Sequence, residues 1–347
     1  MDQSWDKSLT EFISQFIEAT NNQLYQMAFL KLAATLNDGH AYITPVDQKQ
    51  IVYLDAIKFI NGETIVGVDA GGLQKGDIIY CIEQRNIGEV RDSLSVYTPA
   101  STQWNKEYRV NCLVAEMIFS YCTNVTILRD NKKQIINTFP VVFDTKQDSY
   151  RWIYDEIGYV DLSTITTEKI EPMFHSFSKA EGIIFDLRRP GPYAFDIERL
   201  ACFLFDKKNI RLFSMTIPDL AHPGSFCLIK NIETTIPGSM KCPLYKGKIV
   251  VLINESTQSS SETIAWELYN NNNNSTLVGR QTSGTLGRVT WIPLLNGHKT
   301  AFSSVGLFST DNGMELQRKG LIPDIEVYPT IESILAGEDE ILETGIN

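Results

Sequence analysis

The stretch that most constrains the fold is Lys248-Ile249-Val250-Val251-Leu252-Ile253, followed by an unbroken polar run from Asn254 to Glu262 and then a helical pattern reaching Tyr269. A short, wholly apolar run bounded by polar residues reads as a buried strand. The same unit recurs. Ile157 to Leu162, Gly182 to Leu187 and Thr276 to Gly279 read as further buried strands, with a helix from Ala194 to Phe205 between two of them. Strands alternating with helices from Ser149 onward predict a layered α/β core. The asparagine run Asn270 to Asn274 reads as the turn between the last helix and strand.

Upstream, the texture differs. Leu9, Phe12, Ile13, Phe16 and Ile17 recur at helical spacing, as do Ala28, Leu32, Ala33 and Leu36, with Asn21-Asn22 as the break. The second helix runs into Asn37-Asp38-Gly39-His40, where Gly39 can take the positive φ of a helix stop. The chain opens on polar residues that lead into an amphipathic helix, which does not read as a signal peptide. From about Gln48 to Val142 short strands are expected, among them Thr64 to Val68, Ile78 to Ile82 and Asn124 to Arg129. The expected division is a helical region over 1–46, a β domain over 47–142 and the α/β core over 143–347.

Composition removes several function classes. A net charge of −11 without any compensating Lys/Arg block argues against a nucleic-acid binder. No apolar run is long enough to span a membrane. Six cysteines without a C-x-x-C pair, beside only four histidines, argue against a structural zinc site. Cys81 and Cys202 sit among apolar residues and read as free thiols. Nothing in the sequence demands a disulfide, and the redox compartment stays open.

The polar run after Ile253 holds Ser256, Ser259, Ser260 and Ser261. A serine at a strand-to-helix turn lies where backbone N–H groups and the helix dipole can stabilise an oxyanion. The plain alternative is a serine-rich helix cap.

Five stretches in register bear on that choice. Leu36-Asn37-Asp38-Gly39-His40, Gly182 to Arg188, Asn254 to Glu262 (with Thr257, Ser259 and Glu262 as T-x-S-x-x-E), Val278 to Gly284, and Lys319-Gly320-Leu321-Ile322-Pro323-Asp324 together resemble the C-terminal processing (tail-specific) protease family. Ala70 to Ile82, with its G-L-x-x-G-D-x-I pattern, resembles a PDZ domain of the bacterial-protease kind. The resemblance implies a ClpP/crotonase-like layered core with an N-terminal helical region and a PDZ-like domain that takes peptide C-termini as an added strand. A β domain that binds no peptide is the alternative for that segment.

The resemblance makes Ser259 the nucleophile. The best-known branch of the family ends T-x-G-K in the lysine that serves as base, whereas this chain has Thr282-Ser283-Gly284-Thr285, and Thr285 cannot act as a base at neutral pH. A serine needs one, and histidine is the usual choice. His40 matches the position of the tricorn-like branch, which uses Ser, His and Glu; His175, His222 and His298 lack motif support. His40 as a mere helix-end cap is the bland reading. The third member falls on Glu315, or on Gln317 in the ungapped match. The oxyanion donors are the N–H groups of Ser260 and of Gly191, in a run where Pro190 and Pro192 offer none.

The expected function is therefore a serine endopeptidase acting on polypeptides without metal or cofactor. A catalytically silent peptide-binding protein and a hydrolase of a non-peptide acyl substrate are the other two readings. The resemblance further implies a place in the cell envelope, periplasmic or at the surface, with any lipoprotein anchor upstream.

Overall fold

The computed structural model describes residues 5–44, 55–121, 123–143, 148–189, 195–206, 209–219, 221–222, 225–236, 242–270, 274–309 and 316–347. The chain divides into two compact units, residues 1–143 with 288–304, and residues 144–287 with 305–347.

The first unit opens with helices Trp5–Glu18 and Asn22–Ala34. Asn21 caps the second: its side chain accepts the Leu24 N–H at 2.9 Å, so the Asn-Asn break works as an N-cap. A sheet follows in the order Ile57–Ile60, Glu63–Val66, Ile78–Ile82, Asn124–Arg129, Lys132–Asn137, with every pairing antiparallel. The expected Gly-Asp corner is present: Gly76 takes φ 87°. Asp77, buried behind it, holds Arg129 through a fork of 2.7 and 2.6 Å.

Two helices, Ile87–Ser95 and Gln103–Phe119, interrupt what the sequence reads as strands alone. The second is a correction with a visible cause. Val110, Val114, Ile118 and the neighbouring Phe119 are buried at helical spacing, and Thr102 caps the start. Strands Tyr42–Thr44 and Lys299–Ser309 pair antiparallel, with Tyr42 opposite Ala301 and Thr44 opposite Lys299.

The second unit is the expected α/β core. Its sheet runs Ile325–Glu326, Ser275–Gly279, Lys248–Ile253, Gly182–Asp186, Ile157–Asp161, Tyr150–Ile153; all neighbours are parallel except the last pair. Alternate residues serve opposite faces. Ile183, Phe185, Val251 and Ile253 pack under helices Thr167–Ser176, Ile197–Leu204 and Ser260–Asn270. Ile184, Leu252 and Val278 pack under the C-terminal helix Glu340–Ile346. With both faces covered, the uniformly apolar strands have nowhere polar to point, which is why they lack alternation in the sequence. A hairpin of Asn209–Pro218 and Phe226–Ile236 extends this unit.

Cys202 is not a free thiol. It is bridged to Cys242, with Cα atoms 5.7 Å apart. The two lie on either side of the hairpin in sequence, so spacing alone could not pair them. Cys81, Cys112 and Cys227 are not disulfide-bonded, and Cys122 lies outside the described residues.

Candidate active site

In the second unit, the parallel strands deliver their C-terminal ends to one edge of the sheet, where open α/β sheets place their sites. The loop from Asn254 to Ser259 leaves strand Lys248–Ile253 there. It is braced from one side by the end of strand Gly182–Asp186: Thr257 Oγ1 donates to Leu187 O at 3.0 Å, and Ser256 Oγ donates to Arg188 O. From the other side, Ser283 N–H donates to Thr257 O at 2.9 Å. Ser256 and Ser261 are buried, and the Ser256 hydroxyl also reaches Asn254 Oδ1 at 2.8 Å. These contacts occupy the Ser256 hydroxyl.

Ser259 stands apart from its neighbours. It is half-buried and adopts φ 55°, the left-handed region that non-glycine residues avoid. Such strain persists only where surroundings enforce it. Here the Ser259 N–H is held by Thr285 O at 2.9 Å and by Glu262 Oε2 at 3.0 Å. The next residue, Ser260, starts helix Ser260–Asn270. Its N–H belongs to the first turn, which has no intrahelical acceptor.

Glu262 organises the rest. Its carboxyl group is buried and accepts Thr282 Oγ1–H at 2.5 Å, Gly284 N–H at 2.8 Å, Thr285 N–H at 3.0 Å and Ser283 Oγ–H at 3.3 Å. Burial pushes its pKa up to about 7, against the pull of these hydrogen bonds. Thr285, where the resembling family has its lysine, is fully buried, with its carbonyl on Ser259 and its N–H on Glu262.

The Lys319 to Asp324 stretch lies alongside. Leu321 N–H donates to Thr282 Oγ1 at 2.7 Å, and Arg318 N–H to Gly284 O at 2.7 Å. Gly320, at φ 77°, sits so close that a Cβ there would fall 2.5 Å from Thr282 O. Gln317 is tied in through Oε1, which accepts Leu286 N–H at 2.7 Å. Glu315 and Gly191 lie outside the described residues. The structure thus gathers Ser259, Ser260, Gln317 and four of the five sequence motifs in one unit.

His40 belongs to the first unit. It is buried, at 6% exposure, in a turn whose positive φ falls on Asn37 (48°) and not on Gly39. Asn tolerates that region through local side-chain bonding, which corrects the expectation that Gly39 would take it. His40 Nδ1 lies 2.8 Å from Ser303 Oγ, which lies 2.9 Å from Asp38 Oδ1. Arg109 ties the turn down, donating to Gly39 O at 2.6 Å and to Pro99 O at 2.9 Å. Burial lowers the His40 pKa, Asp38 opposes that, and Arg109 adds to it. An imidazole that stays neutral near pH 7 can accept a proton.

The other histidines differ. His175 and His222 are exposed beside Glu171 and Asp219. His298 is buried with Nδ1 3.4 Å from Gln26 Nε2 and its ring stacked on Tyr25. The roles of Glu262, Asp38, Ser303 and Arg109 were not read from sequence. Glu262 and Asp38 stand inside quoted motifs, whereas Ser303 and Arg109 carry no local signal.

Residues 156–327 match the family model described as peptidase family S41. No curated protein matches the chain. Among solved structures, mature CPAF complexed with lactacystin is similar at TM-score 0.71 and 14% identity, over 99% of this chain and 91% of that one. The photosystem II D1 C-terminal processing protease is similar at TM-score 0.50 and 15% identity, over 96% of this chain and 90% of that one. At such identities the likeness to these structures carries the fold alone.

Proposed function

Residues 156–327 make this chain the carrier of a peptidase family S41 domain, and from that premise we propose a serine endopeptidase with Ser259 as nucleophile and His40 as base. Ser259 Oγ attacks the scissile carbonyl as its proton passes to His40. The C–N bond then breaks, and the leaving amine takes that proton. Water hydrolyses the acyl-enzyme by the reverse transfer. Ser260 N–H and Gly191 N–H hold the oxyanion. The orienting residue that the resemblance supplies is Glu315, or Gln317 in the ungapped match.

The observation that carries this reading is the left-handed φ of 55° at Ser259, on a braced loop between a buried strand and a helix. Serine hydrolases of unrelated fold use a strained turn at that place to expose the hydroxyl and aim the following N–H. The unpaired long edge of strand Ile57–Ile60 among the described residues favours docking of a substrate C-terminus on the PDZ-like segment, 47–142. The Cys202–Cys242 bridge favours the cell envelope, since disulfides persist in oxidising compartments.

A fluorophosphonate probe tests the reading. The wild-type protein is expected to be labelled, with labelling abolished in Ser259→Ala and His40→Ala. Labelling that survives in Ser259→Ala overturns the nucleophile. The buried Thr285 in place of the family lysine favours one second reading, a silent peptide binder; absent labelling with retained binding of C-terminal peptides would establish it.

A further inference from the structure

We propose that Ser303 and Asp38 are positioning residues that fix the tautomer of His40, with the ring proton on Nδ1 and the lone pair on Nε2. The proposal deepens the reading of His40 as base and rests on it.

The register makes the contact. Tyr42 lies opposite Ala301 in the antiparallel pair, and continuing the same register by two residues brings His40 opposite Ser303. Ser303 Oγ then sits between two groups, 2.8 Å from His40 Nδ1 and 2.9 Å from Asp38 Oδ1. A hydroxyl has one hydrogen to give, and an ionised carboxylate has none.

Asp38 is placed as an acceptor. Its Oδ2 takes Ser303 N–H at 2.6 Å, and its Oδ1 takes His40 N–H at 3.0 Å. Both are main-chain donors, so the carboxylate is held in orientation by the turn and the strand together. The Ser303 hydrogen therefore points at Oδ1. If it pointed at the ring instead, two lone-pair-bearing oxygens would face each other at 2.9 Å. With its hydrogen on Asp38, Ser303 Oγ can only accept at Nδ1, so His40 carries its proton there. Asp38 does not reach the ring itself, since its Oδ1 is 4.0 Å from Nδ1.

The charged groups around the ring agree with a relay through a hydroxyl. Burial keeps the resting ring neutral, Asp38 favours the imidazolium that forms when Nε2 takes a proton, and Arg109, held on Gly39 O, opposes it. Tyr42, the first residue of the strand, is half-buried, and burial raises its pKa against the pull of Arg109. A base must be neutral before the reaction and supported after it. In this route Ser303 takes the place at Nδ1 that the resemblance gives to Glu315 or Gln317.

The test reads the tautomer directly. Protein labelled with ¹⁵N-histidine has four rings, and His40→Ala identifies the His40 signals. The wild type is expected to show a protonated Nδ1 and an unprotonated Nε2 at pH 8. Ser303→Ala is expected to release the preference into a mixture and to lower kcat/KM about 10- to 100-fold, the scale of losing a residue that orients a histidine. Ser303→Thr keeps the hydroxyl and is expected to restore the wild-type tautomer. Asp38→Asn can donate to Ser303, which turns the hydroxyl hydrogen onto the ring. The tautomer is then expected to invert, with a loss approaching the ~10⁴-fold seen when a triad aspartate becomes asparagine.

A merely structural role for Ser303 would lower activity without moving the tautomer, and that result overturns the proposal. A wild-type ring protonated at Nε2 overturns it as well. If Nδ1 carries the proton but His40→Ala is still labelled by the fluorophosphonate, the base reading fails while the hydrogen-bond assignment stands.

Discussion

Glu262 sets two forces against each other at a single carboxyl group. Every neighbour within hydrogen-bond reach donates, three of them through main-chain N–H groups, which suits an acceptor-only carboxylate. Burial penalises that same charge and wins, lifting the pKa from 4.5 to about 7. The consequence for stability has a definite sign. The unfolded chain releases this proton near 4.5 and the folded one near 7, so the contribution is full below about 4.5 and is lost as pH rises through about 7. Urea unfolding across pH 4 to 8 should show that decline in the wild type. Glu262→Gln should lack the slope and be less stable throughout, by about 1–3 kcal/mol, because the amide nitrogen faces donors that it leaves unpaired. A slope unchanged in the variant would assign the titration elsewhere. At this scale the sequence was partly legible. Ser259 and Thr285 stood out because a motif placed them, but Glu262 carried no role, since all its partners but Ser259 come from Thr282 to Thr285, on a separate loop. Ser303 was invisible for the stronger reason that only strand register brings it to His40.

Elements were legible where one period dominated. Strand Lys248–Ile253 and helix Asn22–Ala34, after the Asn21-Asn22 break, are where the sequence put them. Helix Gln103–Phe119 was missed although Thr102 and the spacing of Val110, Val114 and Ile118 announce it, because strand-like neighbours set the expectation for the whole stretch. The hairpin Asn209–Pro218 and Phe226–Ile236 was missed as well. Its flanks are closed by Cys202–Cys242, a bridge spanning 40 residues. Closing a loop of that length removes unfolded-state entropy worth roughly 4 kcal/mol in the chain-entropy account. A reductant should therefore lower the unfolding midpoint of the wild type and leave Cys202→Ser unmoved. Equal effects of reductant on both proteins would mean that the bridge contributes nothing in solution.

For the whole molecule, contiguity is what the sequence could not supply. Its three successive segments, 1–46, 47–142 and 143–347, assume that the chain never returns, whereas residues 288–304 group with 1–143. That return brings Lys299–Ala301 to Tyr42–Thr44 and Ser303 to His40. No fragment ending at 143 can therefore reproduce the surroundings of His40. The sheet from Ile57 to Asn137 is different, because its core needs no returning segment. Ala56, Val66, Ile79, Val114, Ile118 and Ile127 pack on one another, and the residues joining them run no further than Phe143. A core drawn from one continuous stretch is the mark of a segment able to fold alone. Residues 55–143 expressed by themselves should thus unfold cooperatively in urea, with coincident transitions by circular dichroism and fluorescence. The same fragment extended to begin at residue 1 should leave strand Tyr42–Thr44 without its partner, and its amides should exchange freely while those of Ile79 and Ile127 stay protected. Protection of Tyr42 to Thr44 in that fragment would show that the returning strand is not what orders the turn carrying His40.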